Sequence, residues 1–120
     1  MCTFNTREEG DALIIDFESA AGLNSFSNDT VRDSLYELVQ SRSDPRVALN
    51  LLRVDYLSSS GVAILVGLKR RVETRGGKIA LYDVQPIVTD LLKVMRLDRY
   101  FLILEDEHSA LASLRPVPTI

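Results

Sequence analysis

The chain has 120 residues, 46% of them hydrophobic and 26% charged, which is the make-up of one globular domain with a core of its own. A net charge of −3 argues against a nucleic-acid partner, because such recognition rests on basic patches that neutralise phosphates. The longest apolar run, Val62 to Leu68, is far below the ~20 residues that cross a bilayer, and Cys2 with His108 cannot supply a disulfide or a four-ligand zinc site.

Met1 to Glu9 has no apolar h-region of the signal-peptide kind, so the expected compartment is a reducing cytoplasm. Short apolar stretches flank Glu9-Gly10-Asp11, and Ala12 to Phe17 is rich in strand formers, which predicts an N-terminal hairpin. Gly22 to Asp29 holds turn and cap residues. Val31, Leu35, Leu38 and Val39 then recur at helical spacing, predicting a helix from near Ser27 to Gln40 that Ser43-Asp44-Pro45 breaks. Arg46 to Val54 reads as a mostly buried strand leading through Asp55-Tyr56-Leu57 into Ser58-Ser59-Ser60-Gly61.

The serines yield to a helix with Ile64, Leu65, Leu68 and Val72 on one face, stopped by Arg75-Gly76-Gly77, after which Lys78 to Tyr82 resumes strand character. A strand, helix, strand crossover makes its two strands parallel, so the serine cluster stands at the carboxyl end of a strand and the amino end of a helix. Pro86 suits a first helical position, and Ile87, Leu91, Val94 and Met95 form a stripe ending near Leu97. Tyr100 to Leu104 is a short last strand. Asp106 to Leu114 is a last helix packing through Ala110, Leu111 and Leu114, and residues 115–120 form an irregular tail. Met95 and Tyr100 are expected in the core, Tyr82 and Asp83 near the serine edge, and the Lys69-Arg70-Arg71 run, offset by Glu73, on a solvated helix flank.

Counting from Ser59 places Val62, Ala63, Val66 and Arg70 on a stripe distinct from the Ile64, Leu65, Leu68 and Val72 face, so one face can pack on the sheet while the other meets a partner. A hydroxyl residue at a helix start also has a purely structural use, since a Ser N-cap accepts a hydrogen bond from a free backbone N–H, worth ~1 kcal/mol. That reading suits Ser58 and Ser60. An enzyme is not expected: no Gly-x-Ser-x-Gly elbow surrounds any serine, no Gly-x-x-x-x-Gly-Lys loop is present, and His108 lies apart on the last helix. Asp16 and Asp55 do not make the acidic cluster of a magnesium site, and no cofactor is expected.

The order of elements, together with Tyr56-Leu57-Ser58-Ser59-Ser60-Gly61-Val62-Ala63-Ile64-Leu65, resembles the STAS domain, the family of bacterial anti-sigma factor antagonists. The likeness continues through Lys69-Arg70-Arg71, Arg75 to Leu81, and Val88 to Phe101, and covers nearly the whole chain. It implies a single α/β domain over residues 1–120, with a mixed β-sheet of about four or five strands and about four helices packed chiefly on one face. In that family the usual run is Asp-Ser-Ser-Gly or Asp-Ser-Thr-Gly, and the first hydroxyl residue after the Asp is phosphorylated. Here that residue is Ser59. Ser58 replaces the aspartate, Asn24 stands after Leu23 where the family commonly has a Leu-Asp pair, and Ala63 stands where many members have a second glycine.

The resemblance implies partner switching. Unphosphorylated, the chain would bind an anti-sigma factor serine kinase. Phosphorylated on Ser59 it would release that kinase, and a PP2C-type phosphatase would reset it. Joined to the helical stripe counted from Ser59, it gives an expected partner surface of Asn24, Ser58, Ser59, Ser60, Gly61, Val62, Ala63, Val66 and Arg70. The alternative is a constitutive docking or scaffold module that uses the same face without a phosphorylation cycle, which the missing carboxylates at Asn24 and Ser58 favour.

Overall fold

The computed structural model describes residues 4–19 and 29–115. Along the chain run β1 (Phe4–Glu9), β2 (Ala12–Phe17), α1 (Asp29–Gln40), β3 (Arg46–Asn50), α2 (Ser59–Thr74), β4 (Lys78–Tyr82), α3 (Pro86–Val94), β5 (Leu102–Leu104) and α4 (Glu107–Leu114). The strands form one mixed sheet in the order β1-β2-β3-β4-β5, with β1 antiparallel to β2 and every later pairing parallel. The amino-terminal hairpin turns through Gly10 and Asp11, and Gly10 takes a positive φ of 59° that a residue without Cβ adopts freely. The expected fold class, a single domain with a mixed sheet, is what the chain adopts.

Alternation along the strands assigns the two faces. Leu13, Ile15 and Phe17 of β2, Val47 and Leu49 of β3, and Ile79 and Leu81 of β4 point to one side, where Leu35 and Val39 of α1, Leu65, Leu68 and Val72 of α2, and Val88 and Leu92 of α3 close over them. Ala12, Ile14, Ala48, Ala80 and Tyr82 point to the other side, which α4 covers with Ala110 and Leu114. Among the described residues three helices therefore share one face and one takes the other. Among the described residues no helix is long and apolar enough to cross a membrane.

Several boundaries and burials differ from the sequence expectation. The strand predicted over Arg46 to Val54 stops at Asn50, because Leu51 to Val54 closes a turn in which the Val54 N–H donates to the Leu51 carbonyl at 3.0 Å. The predicted strand from Tyr100 shortens to Leu102–Leu104, since the Tyr100 and Phe101 N–H groups both donate back to Leu97. The start of α1 near Ser27 lies outside the described residues. The stripe read on α3 is rotated: Val88 and Leu92 are buried, whereas Ile87 is 57% exposed, Val94 81% and Met95 45%. Adjacent apolar doublets, Ile87-Val88 and Leu91-Leu92, fit either phase, and contact with the sheet selects the second. Met95 and Tyr100 are thus surface residues, with the Tyr100 ring lying under Lys69 Nζ at 4.7 Å.

Candidate partner-docking site

Helix α2 begins at the carboxyl edge of the sheet, where β3 and β4 end side by side. Ser58 is the N-cap: its backbone is extended (φ −79°, ψ 171°), and its Oγ accepts from the Gly61 N–H at 3.1 Å. Its carbonyl accepts from the Val62 N–H at 2.9 Å. Ser59 and Ser60 are the first two helical residues and both are exposed, so of the two serines expected to cap, Ser58 does and Ser60 does not. A helix has one N-cap position, and Ser58 fills it. No acidic residue occupies the first turn, which leaves the positive end of the helix dipole without a built-in counter-charge.

The stripe predicted to face a partner is only partly outward. Ser59, Ala63 and Arg70 are exposed and Val66 is half-buried against the core. Val62 is only 7% exposed and belongs to the core with Leu57 and Ile64, and Gly61 is buried. Three residues after Ser59, Val62 has already turned toward the sheet, so Val62 and Gly61 support the surface and do not form it. The face predicted to pack, Ile64, Leu65, Leu68 and Val72, is buried as expected. Asn24 lies outside the described residues. Asp83 closes β4 with a φ of 53° at this edge, but Tyr82 does not join it. Alternation turns Tyr82 to the α4 side, where it is 1% exposed and donates its hydroxyl to Glu107 at 3.1 Å.

The loop that delivers the serines is held in place. Leu51 donates its N–H to the Tyr82 carbonyl at 3.1 Å, the Leu52 N–H donates to Asn50 Oδ1 at 3.0 Å, and Gln85 Nε2 donates to the Leu52 carbonyl at 2.7 Å. Asn50 in turn donates to Asp16 at 2.7 Å. Arg7 grips the same Asp16 at 2.8 Å and Glu107 at 2.7 Å. Its hydrogen bonds hold the Asp16 carboxyl below the usual carboxylate range, helped by Asn50 and opposed by partial burial. On the outer side of these loops Leu52, Tyr56 and Ile87 are each more than half exposed. The Gln85 to Leu52 bond ties their two segments together, so an apolar rim borders the serine cluster. Sequence reading missed this rim. Leu52 reads as an inward strand residue and Ile87 as part of a packing stripe; the turn at Leu51 to Val54 reverses the first, and the phase in which α3 meets the sheet reverses the second.

Farther along α2, Tyr36 of α1 packs across the helix. A Cβ on Gly67 would collide with the Tyr36 hydroxyl, so glycine lets the two helices approach. Arg71 stacks on the same ring at 3.7 Å. Of the cations expected on a solvated flank, Lys69 pairs with the offsetting Glu73 at 2.7 Å and Arg70 is exposed, whereas Arg71 packs on Tyr36.

Comparisons with known proteins agree with this architecture. The model of the STAS domain family matches residues 3–110. The chain is 30% identical over 95 residues, 79% of its own length and 81% of the relative's, to the anti-sigma F factor antagonist of Paenibacillus polymyxa. Among solved structures, a STAS domain protein from Planctomyces limnophilus superposes with a TM-score of 0.81 at 20% identity, over 92% of this chain and 97% of that one. The Bacillus cell fate determinant SpoIIAA in its phosphorylated form gives a TM-score of 0.67 at 19% identity, over 93% and 99%. Identities this low speak to the fold alone. A family match along most of the chain, joined to a relative at 30% identity over 79% of its length, shows that the protein belongs to the STAS domain family.

Proposed function

We propose that the chain is an anti-sigma factor antagonist that works by partner switching, with Ser59 as the phosphoacceptor and the exposed side of α2 as the docking surface. The observation that carries the reading is the position of Ser59: exposed, first in the helix, and next to a serine that already fills the cap. A phosphate there adds a charge of about −1.5 to −2 at the positive end of the helix dipole, where unpaired backbone N–H groups favour it. The fold tolerates the modification. A partner pressed against Ala63, Val66 and the Leu52, Tyr56 and Ile87 rim does not, because a desolvated contact surface would then hold an unpaired double charge. The unphosphorylated chain accordingly binds an anti-sigma factor serine kinase and the phosphorylated chain releases it. A PP2C-type phosphatase restores the first state. The chain acts by binding alone, and the catalysis belongs to its partners.

A constitutive docking module is the second reading, favoured by Ser58 and Asn24 standing where family members carry carboxylates. One set of affinities separates the two. Val66→Glu weakens the partner under either. Ser59→Asp and the genuinely phosphorylated protein weaken it only under switching, and calorimetry of parent, both variants and phosphoprotein reads the difference. Phosphosite mass spectrometry after incubation with the cognate kinase and ATP is expected to find one phosphate, on Ser59, absent from Ser59→Ala. Phosphate on Ser58 or Ser60 instead, or equal affinity of phosphoprotein and parent, would reject switching at Ser59.

A further inference from the structure

The exposed stripe of α2 does not end with Val66. Ser59, Ala63, Val66 and Arg70 follow one another at helical spacing, and the stripe runs into an open groove of about 360 Å3 where the carboxyl ends of α1 and α2 meet. Gln40, Arg70, Arg71, Thr74 and Arg75 line it. In a chain of net charge −3, this lining contains three guanidinium groups and no carboxylate.

Most of the neighbouring cations already have structural tasks. Lys69 is paired with Glu73. Arg71 stacks on Tyr36 and donates to the Gly67 carbonyl at 3.1 Å, and Arg75 Nε donates to the Arg42 carbonyl at 3.0 Å. Arg70 is exposed, and its guanidinium has no hydrogen bond or ion pair among the described residues. Thr74 Oγ1 donates to the Arg70 carbonyl at 2.7 Å, so the Thr74 hydroxyl on this lining is also engaged. A free planar fork beside two further arginines suits carboxylates, which it can grip with two parallel hydrogen bonds.

We infer that this groove is the second half of the docking surface and takes a carboxylate-bearing segment of the protein partner, with Arg70 as its principal contact. The inference rests on α2 being a docking helix, and adds the chemistry of what meets its far end. At ~1.5 Å of rise per residue, Arg70 stands about 16 Å from Ser59. No single small anion bridges that span, whereas about five residues of extended chain do. The groove thus anchors and steers a partner that Ser59 gates at the other end.

The test titrates the intact chain with a hexaglutamate peptide and, separately, with inorganic phosphate, following backbone amide shifts at low and at physiological ionic strength. The peptide is expected to move the amides of Gln40 and of Arg70 to Arg75, the effect to weaken with salt, and Arg70→Glu to abolish it with melting unchanged. Equal shifts from phosphate, or shifts unaltered in Arg70→Glu, overturn the inference. Against the purified kinase, Arg70→Glu is expected to lower affinity about tenfold, and Arg70→Lys, which keeps the charge for steering but loses the two-pronged grip, to fall between Arg70→Glu and the parent. Kinase affinity lost in Ser59→Asp but unchanged in Arg70→Glu overturns the groove and leaves switching intact. The reverse pattern rejects switching and supports the groove.

Discussion

On one face of the sheet α1, α2 and α3 close over a layer of Leu, Ile, Val and Phe that is apolar throughout. On the other, α4 alone among the described residues closes the sheet, over Ile14 and two small residues, Ala48 and Ala80, in register across β2, β3 and β4, with Ala110 above them. The alanines let α4 sit close to the strands, but they bury little area. A polar network borders this thinner side: Arg7 joins Asp16 of β2 to Glu107 of α4, and Tyr82 reaches the same Glu107. The two faces are thus held by different forces. The thick face carries α2, so the surface proposed to dock a partner is mounted on the side secured by hydrophobic burial, which pH does not titrate.

The largest effect should come from the thick face. Leu65→Ala removes a fully buried side chain beneath the proposed docking stripe, and denaturant unfolding should show a loss of about 2–5 kcal/mol. A loss below ~1 kcal/mol would mean that this layer repacks easily and does not fix α2. On the thin face, Tyr82→Phe keeps the ring and removes only the hydroxyl that donates to Glu107. A loss of about 1 kcal/mol is expected, the net value of one such bond.

The pH dependence sharpens the contrast further, because the ionisable groups with shifted behaviour in the network all belong to the thin face. Burial and the Glu107 hydrogen bond push the Tyr82 phenol up. Its unfolded form ionises first as pH rises, so its stabilising share is complete below pH ~10 and declines above it. Asp16 behaves oppositely. Its carboxyl is depressed by Arg7, so its contribution is complete above pH ~4 and is lost as pH falls through the lower folded value. Acid titration of parent and Asp16→Asn should therefore converge at low pH. Curves that stay parallel would separate Asp16 from the acid limb.

The smallest effect is expected at Ser59, which is exposed and at the positive end of α2. Ser59→Asp should melt within a few degrees of the parent. A loss of cooperative unfolding in that variant would mean that the serine is packed against the thick-face core, where a charge cannot be solvated.

Local pattern determined much of this protein. The run of strand formers from Ala12 to Phe17, the Ile64, Leu65, Leu68 and Val72 face and the serine run before Gly61 are decided within a few residues of chain, because strand propensity, helix period and capping are short-range properties. The family motif was legible for the same reason, as a contiguous run. What the tertiary structure decided are choices between locally equivalent options. Ile87-Val88 and Leu91-Leu92 offer α3 two phases, and only the sheet beneath selects Val88 and Leu92. Val62 could face either way until α2 docked and turned it inward. Tyr82 was assigned to α4 by strand alternation measured from a register that pairing with β3 fixes. Arg70 differs from Lys69 and Arg71 only through the partners that folding brings to the other two, Glu73 with the Tyr100 ring and Tyr36. Short-range sequence carries the propensity for each element, while long-range contact decides which of its faces meets water.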